Sequence, residues 1–312
     1  MKHRLILAAA LALSMGCTAP SHAAERAVWA WEATSQAMVE DPLYANDAIT
    51  FLRARGIGTV YLYTDAYLGR SLLLERPDLY RALIARMHAA GIRVQALMGS
   101  GHLSSNDYVR PERRKIALAM FQAILDYNRA ADGMQRFDGV NLDIEPHLLD
   151  DWESNRESLL RQFLDLGRSL MDLKQKSGQK NLQVGPSIPF WYDEIPLTWK
   201  GATKPASEHL IDLYDYTALM DYRDTAPGPD GIIEHARSEL DYAARRGKRV
   251  VIGVEIAPNE IPKVTFDDNT EVQLELALAQ TEEAYLEHPG FGGFALHHLD
   301  AYVRWLERQG AR

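Results

Sequence analysis

Residues 137–146 read Phe-Asp-Gly-Val-Asn-Leu-Asp-Ile-Glu-Pro, a run in which polar and apolar residues alternate. Side chains of a β-strand point alternately to its two faces, so Asn141, Asp143 and Glu145 share one face. The aliphatic residues between them share the other face, which suits contact with helices. The run therefore predicts a strand with helices on its outer side and a polar stripe on its inner side.

Similar runs recur along the chain, separated by segments with helical periodicity. The predicted strands are residues 27–32, 59–65, 93–99, 139–146, 182–191, 216–224, 249–256 and 292–298, and the clearest helical segments are 77–90, 111–131, 152–176, 232–246 and 271–288. Eight strand–helix units imply parallel pairing and closure. We predict an α/β fold, a single-domain (β/α)₈ TIM barrel over residues 24–312. An open doubly wound sheet is the alternative, but no glycine-rich phosphate loop follows the first predicted strand.

The first 23 residues have the pattern of an export signal. Lys2 and Arg4 precede an apolar run, residues 5–13, that is too short to span a bilayer, and Ser21-His22-Ala23 offers small residues at a cleavage site. Gly16-Cys17 offers a second possibility, cleavage and lipidation at Cys17. We expect a signal peptide at residues 1–23 and a bacterial protein that is periplasmic or secreted, with a lipid anchor at Cys17 as the alternative.

Composition limits the partners. The chain carries 34 basic and 43 acidic residues, a net charge of −9, which disfavours nucleic acid and anionic membrane surfaces. No later apolar stretch is long enough for a membrane helix, so none is expected in the mature chain. Cys17 is the only cysteine, and neither His-Glu-x-x-His nor a first-strand His-x-His is present. We therefore expect no metal and no cofactor, and a neutral polysaccharide or oligosaccharide fits best.

A barrel of this kind carries its chemistry at the carboxyl ends of its strands. Asp143 and Glu145 lie close on one face, so the pKa of one should rise, which would pair a proton donor with an ionised partner. Hydrolysis of a glycosidic bond needs such a donor. Carboxylates, aromatic rings and other polar groups at the strand ends are candidates for sugar contacts: Tyr63, Asp65, Asn141, Trp191, Asp221 and His297. The alternatives are a helix cap for Asp65 and core packing for the aromatic residues.

Three stretches resemble signatures of the family-18 chitinases. The fourth-strand signature Asp-Gly-x-Asp-x-Asp-x-Glu matches at Asp138, Gly139, Asp143 and Glu145, with Asn141 in place of an Asp. The sixth-strand Met-x-Tyr-Asp resembles residues 220–223, which end in Arg rather than Asp. The eighth-strand Gly-Gly-x-x-x-Trp-x-x-Asp resembles residues 292–300, where His297 replaces the Trp.

The resemblance implies roles for these residues. Glu145 would be the general acid, Asp143 would orient a substrate N-acetyl group that attacks its own anomeric carbon, and Tyr222 would help to hold that group. The departures at Asn141, Arg223 and the eighth-strand position fall on the N-acetyl site. They count against chitin as the substrate more than against glycoside hydrolysis.

A second plan uses the same acid. Glu255 ends the seventh predicted strand on the same face as Val251 and Gly253. This arrangement is similar to that of retaining glycosidases, which carry an acid/base Glu on strand four and a nucleophile Glu on strand seven. Ile144 stands where an Asn usually precedes the acid in those enzymes. Glu255 would then be the nucleophile; otherwise it would bind substrate or pair with an Arg of the barrel.

These observations predict an exported glycoside hydrolase that acts on a cell-wall, capsule or matrix polysaccharide. The alternative is a catalytically inactive glycan-binding barrel lipoprotein. The intact Asp143–Glu145 pair favours the enzyme.

Export is testable on the mature protein. Mass spectrometry of its N-terminus should show a chain that begins near Ala24, or else a lipidated Cys17, because these are the two cleavage sites in the sequence. An intact Met1 in the mature fraction would contradict export.

Overall fold

The computed structural model describes residues 24–310, so the predicted signal peptide and Cys17 lie outside the described residues. The barrel strands are β1 Arg26–Ala30, β2 Thr59–Tyr63, β3 Arg93–Met98, β4 Gly139–Leu142, β5 Gln183–Pro189, β8 Tyr216–Met220, β9 Arg249–Glu255 and β10 Phe291–His297. These eight parallel strands form a closed barrel in the order β1-β10-β9-β8-β5-β4-β3-β2, which confirms the predicted TIM barrel.

Helices cover the outside of the barrel. They are α1 Glu32–Glu40, α2 Pro42–Ala54, α3 Leu72–Glu75, α4 Pro77–Ala89, α5 Pro111–Ala130, α6 Trp152–Ser177, α7 Ala206–Leu213, α8 Ile232–Arg245, α9 Glu271–Tyr285 and α10 Leu299–Gly310. An antiparallel hairpin, β6 Pro196–Trp199 and β7 Ala202–Pro205, interrupts the repeat between β5 and α7 and was not predicted. Across residues 24–310, no helix is long and apolar enough to cross a membrane.

The predicted strands extend beyond the observed ones at their carboxyl ends. The fourth strand ends at Leu142 rather than Pro146, and the sixth barrel strand ends at Met220 rather than Asp224. Pairing continues one step past β4, because the Asp143 N–H donates to the carbonyl of Met98 at 2.8 Å. The residues that follow turn into the loops of the mouth. The site residues on these segments thus lie at strand ends, not within the regular ladder.

The core has two layers. Val140, Leu142 and Ile144 are fully buried in the outer layer between strands and helices. A smaller inner cluster fills the barrel and includes Trp29, Tyr61, Tyr63, Leu97 and Tyr216. The observed alternation along β4 is therefore the predicted one, and bulky aromatic rings form the floor below the mouth.

Asn141 belongs to this floor. Its side chain is completely buried; Oδ1 accepts hydrogen bonds from Trp29 Nε1 at 3.0 Å and Ser187 Oγ at 3.1 Å, and Nδ2 donates to Tyr216 Oη at 3.3 Å. Buried polar groups need such partners, and Asn141 has them within the barrel. The prediction that Asn141 contacts substrate does not fit this enclosed position.

Candidate active site

Four predicted catalytic residues converge at the carboxyl end of the barrel. Asp143 and Glu145 follow β4, Tyr222 follows β8, and Glu255 ends β9. Burial raises the pKa of the Tyr222 hydroxyl well above its ordinary value, and the charges of Glu255, Glu145 and Asp143 raise it further. Three carboxylates from two strands therefore act on one phenol, although these residues lie far apart in the sequence.

Asp143 is the deepest member of the strand-four pair. It is 9% exposed, and burial raises its pKa well above the ordinary value. The neighbouring charge of Glu145 raises the pKa further, Glu32 adds to this, and a hydrogen bond with Ser187 opposes it. The raised pKa expected for one of the pair thus falls on Asp143, which favours its protonated form as a hydrogen-bond donor.

Glu145 lies nearer to solvent. Its side chain is 22% exposed, its backbone N–H donates to Asn106 Oδ1 at 2.8 Å, and its Oε2 lies 3.3 Å from His147 Nε2. His147 Nδ1 in turn lies 3.2 Å from the hydroxyl of Tyr192, which is fully buried. His147 was not among the predicted site residues. It lies only two residues after Glu145 in the sequence, and that position could have identified it as a candidate. Glu145 therefore combines access to the mouth with contacts that hold it.

Glu255 is held from both sides. Its Oε1 accepts hydrogen bonds from the backbone N–H groups of Ile256 at 2.9 Å and Ala257 at 2.7 Å. Its Oε2 lies 2.8 Å from His297 Nδ1, and Trp31 Nε1 donates to His297 Nε2 at 2.9 Å. The partner of Glu255 is thus a histidine on the adjacent strand β10 rather than an arginine. Both ring nitrogens of His297 are engaged within the protein, which does not fit its prediction as a sugar contact.

Asp65 and Tyr63 lie beside this group at the end of β2. Burial raises the pKa of Asp65 to about 7, the charge of Glu32 adds to this, and a hydrogen bond from the Gly99 N–H at 2.7 Å opposes it. Tyr63 is only 2% exposed, and its hydroxyl donates to the carbonyl of Ala66 at 3.1 Å. Tyr63 is therefore a core residue rather than a platform for sugar, whereas Asp65 contributes a titratable group to the wall of the mouth.

Asp221 lies on the other side of the barrel wall. It is completely buried, its Oδ1 is 3.2 Å from His235 Nδ1 on α8, and burial raises its pKa to about 6. Adjacent residues point to opposite faces, so the inward position of Tyr222 places Asp221 outside. This enclosed position, with His235 as the partner, does not fit the prediction that Asp221 contacts substrate.

Trp191 remains at the mouth. Its ring packs edge-on against His147, with centroids 5.4 Å apart, and against Trp152 at 6.1 Å. His147 lies between the partly exposed Trp191 ring and the predicted acid, Glu145, because it contacts both of them.

Within residues 24–310, no group of three or more His, Cys, Asp and Glu residues is arranged to hold a metal ion.

Comparisons with known proteins find similarity in structure. No protein-family model matches the chain, and no curated protein matches it in sequence. Catalytic domain 2 of the Group II chitinase of Ostrinia furnacalis matches with a TM-score of 0.56 and 11% identity over 89% of this chain and 90% of that chain. A family-18 chitinase from Cycas revoluta in complex with (GlcNAc)4 matches with a TM-score of 0.55 and 11% identity over 90% and 96%.

An exo-β-1,4-mannosidase from Opitutaceae bacterium strain TAV5 matches with a TM-score of 0.54 and 14% identity, over 88% of this chain and 51% of that chain. At such low identities the likeness is one of fold. The chain has a closed parallel barrel that resembles the TIM barrels of glycoside hydrolases.

The raised pKa of Asp65 predicts a pH-dependent stability difference. Above pH 4 the unfolded Asp65 loses its proton, but the folded group keeps its proton until about pH 7, so stability falls across this window. Asp65→Asn cannot ionise. It should unfold with a free energy up to about 4 kcal/mol higher than the wild type at pH 8, and with little difference at pH 4.

Urea unfolding at both pH values measures this, with Asp47→Asn on an exposed part of α2 as the control. A variant that is equally destabilised at pH 4 and pH 8 would show that the folded Asp65 is not protonated.

Proposed function

We propose that this protein is an exported glycoside hydrolase that cleaves glycosidic bonds of a cell-wall, capsule or matrix polysaccharide, with Glu145 as the general acid. The main support is that Asp143 and Glu145 follow β4 and Glu255 ends β9 at the same end of the barrel, where the charges of all three raise the pKa of Tyr222. Carboxylates that face one another across a mouth are the groups that glycosidic hydrolysis needs. The structural likeness to chitinases and to a mannosidase supports the same class of reaction.

Glu145 is the best placed proton donor. Its side chain is more exposed than those of Asp143 and Glu255, so it can reach the oxygen of a leaving sugar. Its proton passes to the glycosidic oxygen as the bond to the anomeric carbon breaks, and positive charge develops on the sugar ring. The Glu255 carboxylate, which is held deeper in the mouth, is available to stabilise that charge.

Two routes can complete the reaction. In the first, a substrate acetamido group attacks its own anomeric carbon, and protonated Asp143 and Tyr222 hold that group. In the second, a Glu255 carboxylate oxygen attacks the anomeric carbon, and water then hydrolyses the glycosyl-enzyme with Glu145 as the base. The raised pKa of Asp143 supports the first route, and the fixed orientation of Glu255 supports the second.

The acid assignment is tested on a panel of neutral and amino-sugar polysaccharides. We expect the wild type to cleave at least one of them, and Glu145→Gln to lose about 100-fold to 10,000-fold of the turnover because it has no proton to donate. Glu153→Gln, an exposed carboxylate on α6, is the matched control and should keep full turnover. Near-wild-type turnover in Glu145→Gln would contradict the assignment; binding without cleavage by the wild type would favour the inactive glycan-binding barrel.

The two routes are separated on a substrate that the wild type cleaves. If the acetamido group attacks, Asp143→Asn should lose most of the rate and Glu255→Gln only a modest part. If Glu255 attacks, Glu255→Gln should lose most of the rate, because no other group could then form the glycosyl-enzyme. Single-turnover rates of both variants measure the difference, and a larger loss in Asp143→Asn than in Glu255→Gln would rule out the second route.

A further inference from the structure

A chain of hydrogen bonds runs along the rim of the mouth over three adjacent strands, from the end of β1 through β10 to the end of β9. Trp31 Nε1 donates to His297 Nε2 at 2.9 Å, and His297 Nδ1 lies 2.8 Å from Glu255 Oε2. An indole N–H can only donate, so Nε2 of His297 must accept. A neutral imidazole carries one proton, which therefore sits on Nδ1 and is donated to Glu255. The contact with Trp31 thus determines the tautomer that Glu255 meets.

The imidazole ring is also fixed by packing. The Trp29 ring meets His297 edge-on with centroids 5.8 Å apart, and the Tyr222 ring lies at the same centroid distance with an interplanar angle of 30°. With the backbone N–H groups of Ile256 and Ala257 on Oε1, every oxygen of Glu255 has a donor. Rotation of the carboxylate would break these bonds, so its orientation is set before substrate arrives.

We propose that Trp31 and His297 are positioning residues, which hold the Glu255 carboxylate in one orientation towards the sugar whose glycosidic oxygen Glu145 protonates. The inference rests on the proposed function, because it gives these two residues a role in the same site. A carboxylate held in place needs no reorganisation when charge develops on the sugar ring, which is a main source of catalytic rate. Neither residue needs to touch the substrate for this role.

The groups that face His297 from neighbouring elements are Glu255 on β9, Tyr222 beyond β8 and the adjacent His298, whose pKa burial lowers to about 4. Trp31 Nε1 occupies the Nε2 side of the His297 ring, and the Glu255 carboxylate occupies the Nδ1 side. The ring therefore connects the end of β1 to Glu255 through both of its nitrogens.

The first experiment removes the indole N–H. Trp31→Phe should lower kcat about fivefold to tenfold with KM nearly unchanged, because one hydrogen bond is lost away from the substrate. Trp199→Phe is the matched control, because Trp199 Nε1 also donates to a side chain, Asp165 Oδ1 at 3.0 Å, outside the mouth.

The second experiment varies the histidine. An asparagine keeps an N–H donor near the place of Nδ1, so His297→Asn should retain more activity than His297→Ala. If Glu255 is the nucleophile, His297→Ala should lose about 10-fold to 100-fold of kcat. If the acetamido group attacks, the loss in His297→Ala should not exceed that in Glu255→Gln. The matched control is His88→Asn, because His88 Nε2 lies 2.9 Å from Asp138 Oδ2 at the opposite end of the barrel. A rise in KM alone, with kcat unchanged, would instead assign Trp31 or His297 to sugar binding and overturn the proposal.

A measurement without substrate separates this proposal from the proposed function. Nitrogen NMR of the histidine rings should show a proton on Nδ1 of His297 and none on Nε2 in the wild type, and a mixture of tautomers in Trp31→Phe. A proton on Nε2 in the wild type would overturn the proposal whatever the activity. A wild type that cleaves no glycan would refute the proposed function instead, and the tautomer would still show whether His297 holds Glu255.

Discussion

Eight parallel strands close into a barrel, and this closure governs where each polar side chain can lie. It forces every second side chain of a strand into the interior of the barrel. Aromatic rings fill much of the interior below the mouth, so polar residues are tolerated there only where they are bonded to one another or lie near an opening. The position of a residue along its strand therefore decides whether it packs, supports or reacts.

This constraint explains the change of character along the fourth strand. Asn141, at the floor, offers both an acceptor for Trp29 and Ser187 and a donor for Tyr216. A carboxylate there would have no hydrogen to give to Tyr216 and would add a buried charge below Asp143. Two residues further on, Asp143 is still largely desolvated and holds its proton more firmly, and Glu145 emerges towards solvent. One alternating run thus passes from an enclosed side chain to one at the opening within five residues.

The walls of the mouth are strongly acidic, and the structure limits the resulting repulsion in two ways. Burial raises the pKa values of Asp65 and Asp143, so protons replace charges at the deepest positions. Glu255, by contrast, is surrounded by hydrogen-bond donors from the backbone and from His297. The carboxyl groups of one mouth thereby differ in their protonation and in their hydrogen bonds. Such a difference is the condition for acid and charge-stabilising roles to coexist in one site.

The amino-acid pattern alone predicts the barrel, its eight strands and the shared inward face of Asn141, Asp143 and Glu145, because periodicity is a local property. The pattern also contained the signal that Asp221 and Tyr222 cannot share a face. The folded chain was needed to show that Tyr63 belongs to the core, that His297 and Trp31 hold Glu255, and that His147 contacts Glu145. These contacts join residues that lie far apart in the sequence, or residues in the loop that follows the last paired residue of a strand. They depend on how deep each strand end lies in the closed barrel, and no local pattern encodes that depth.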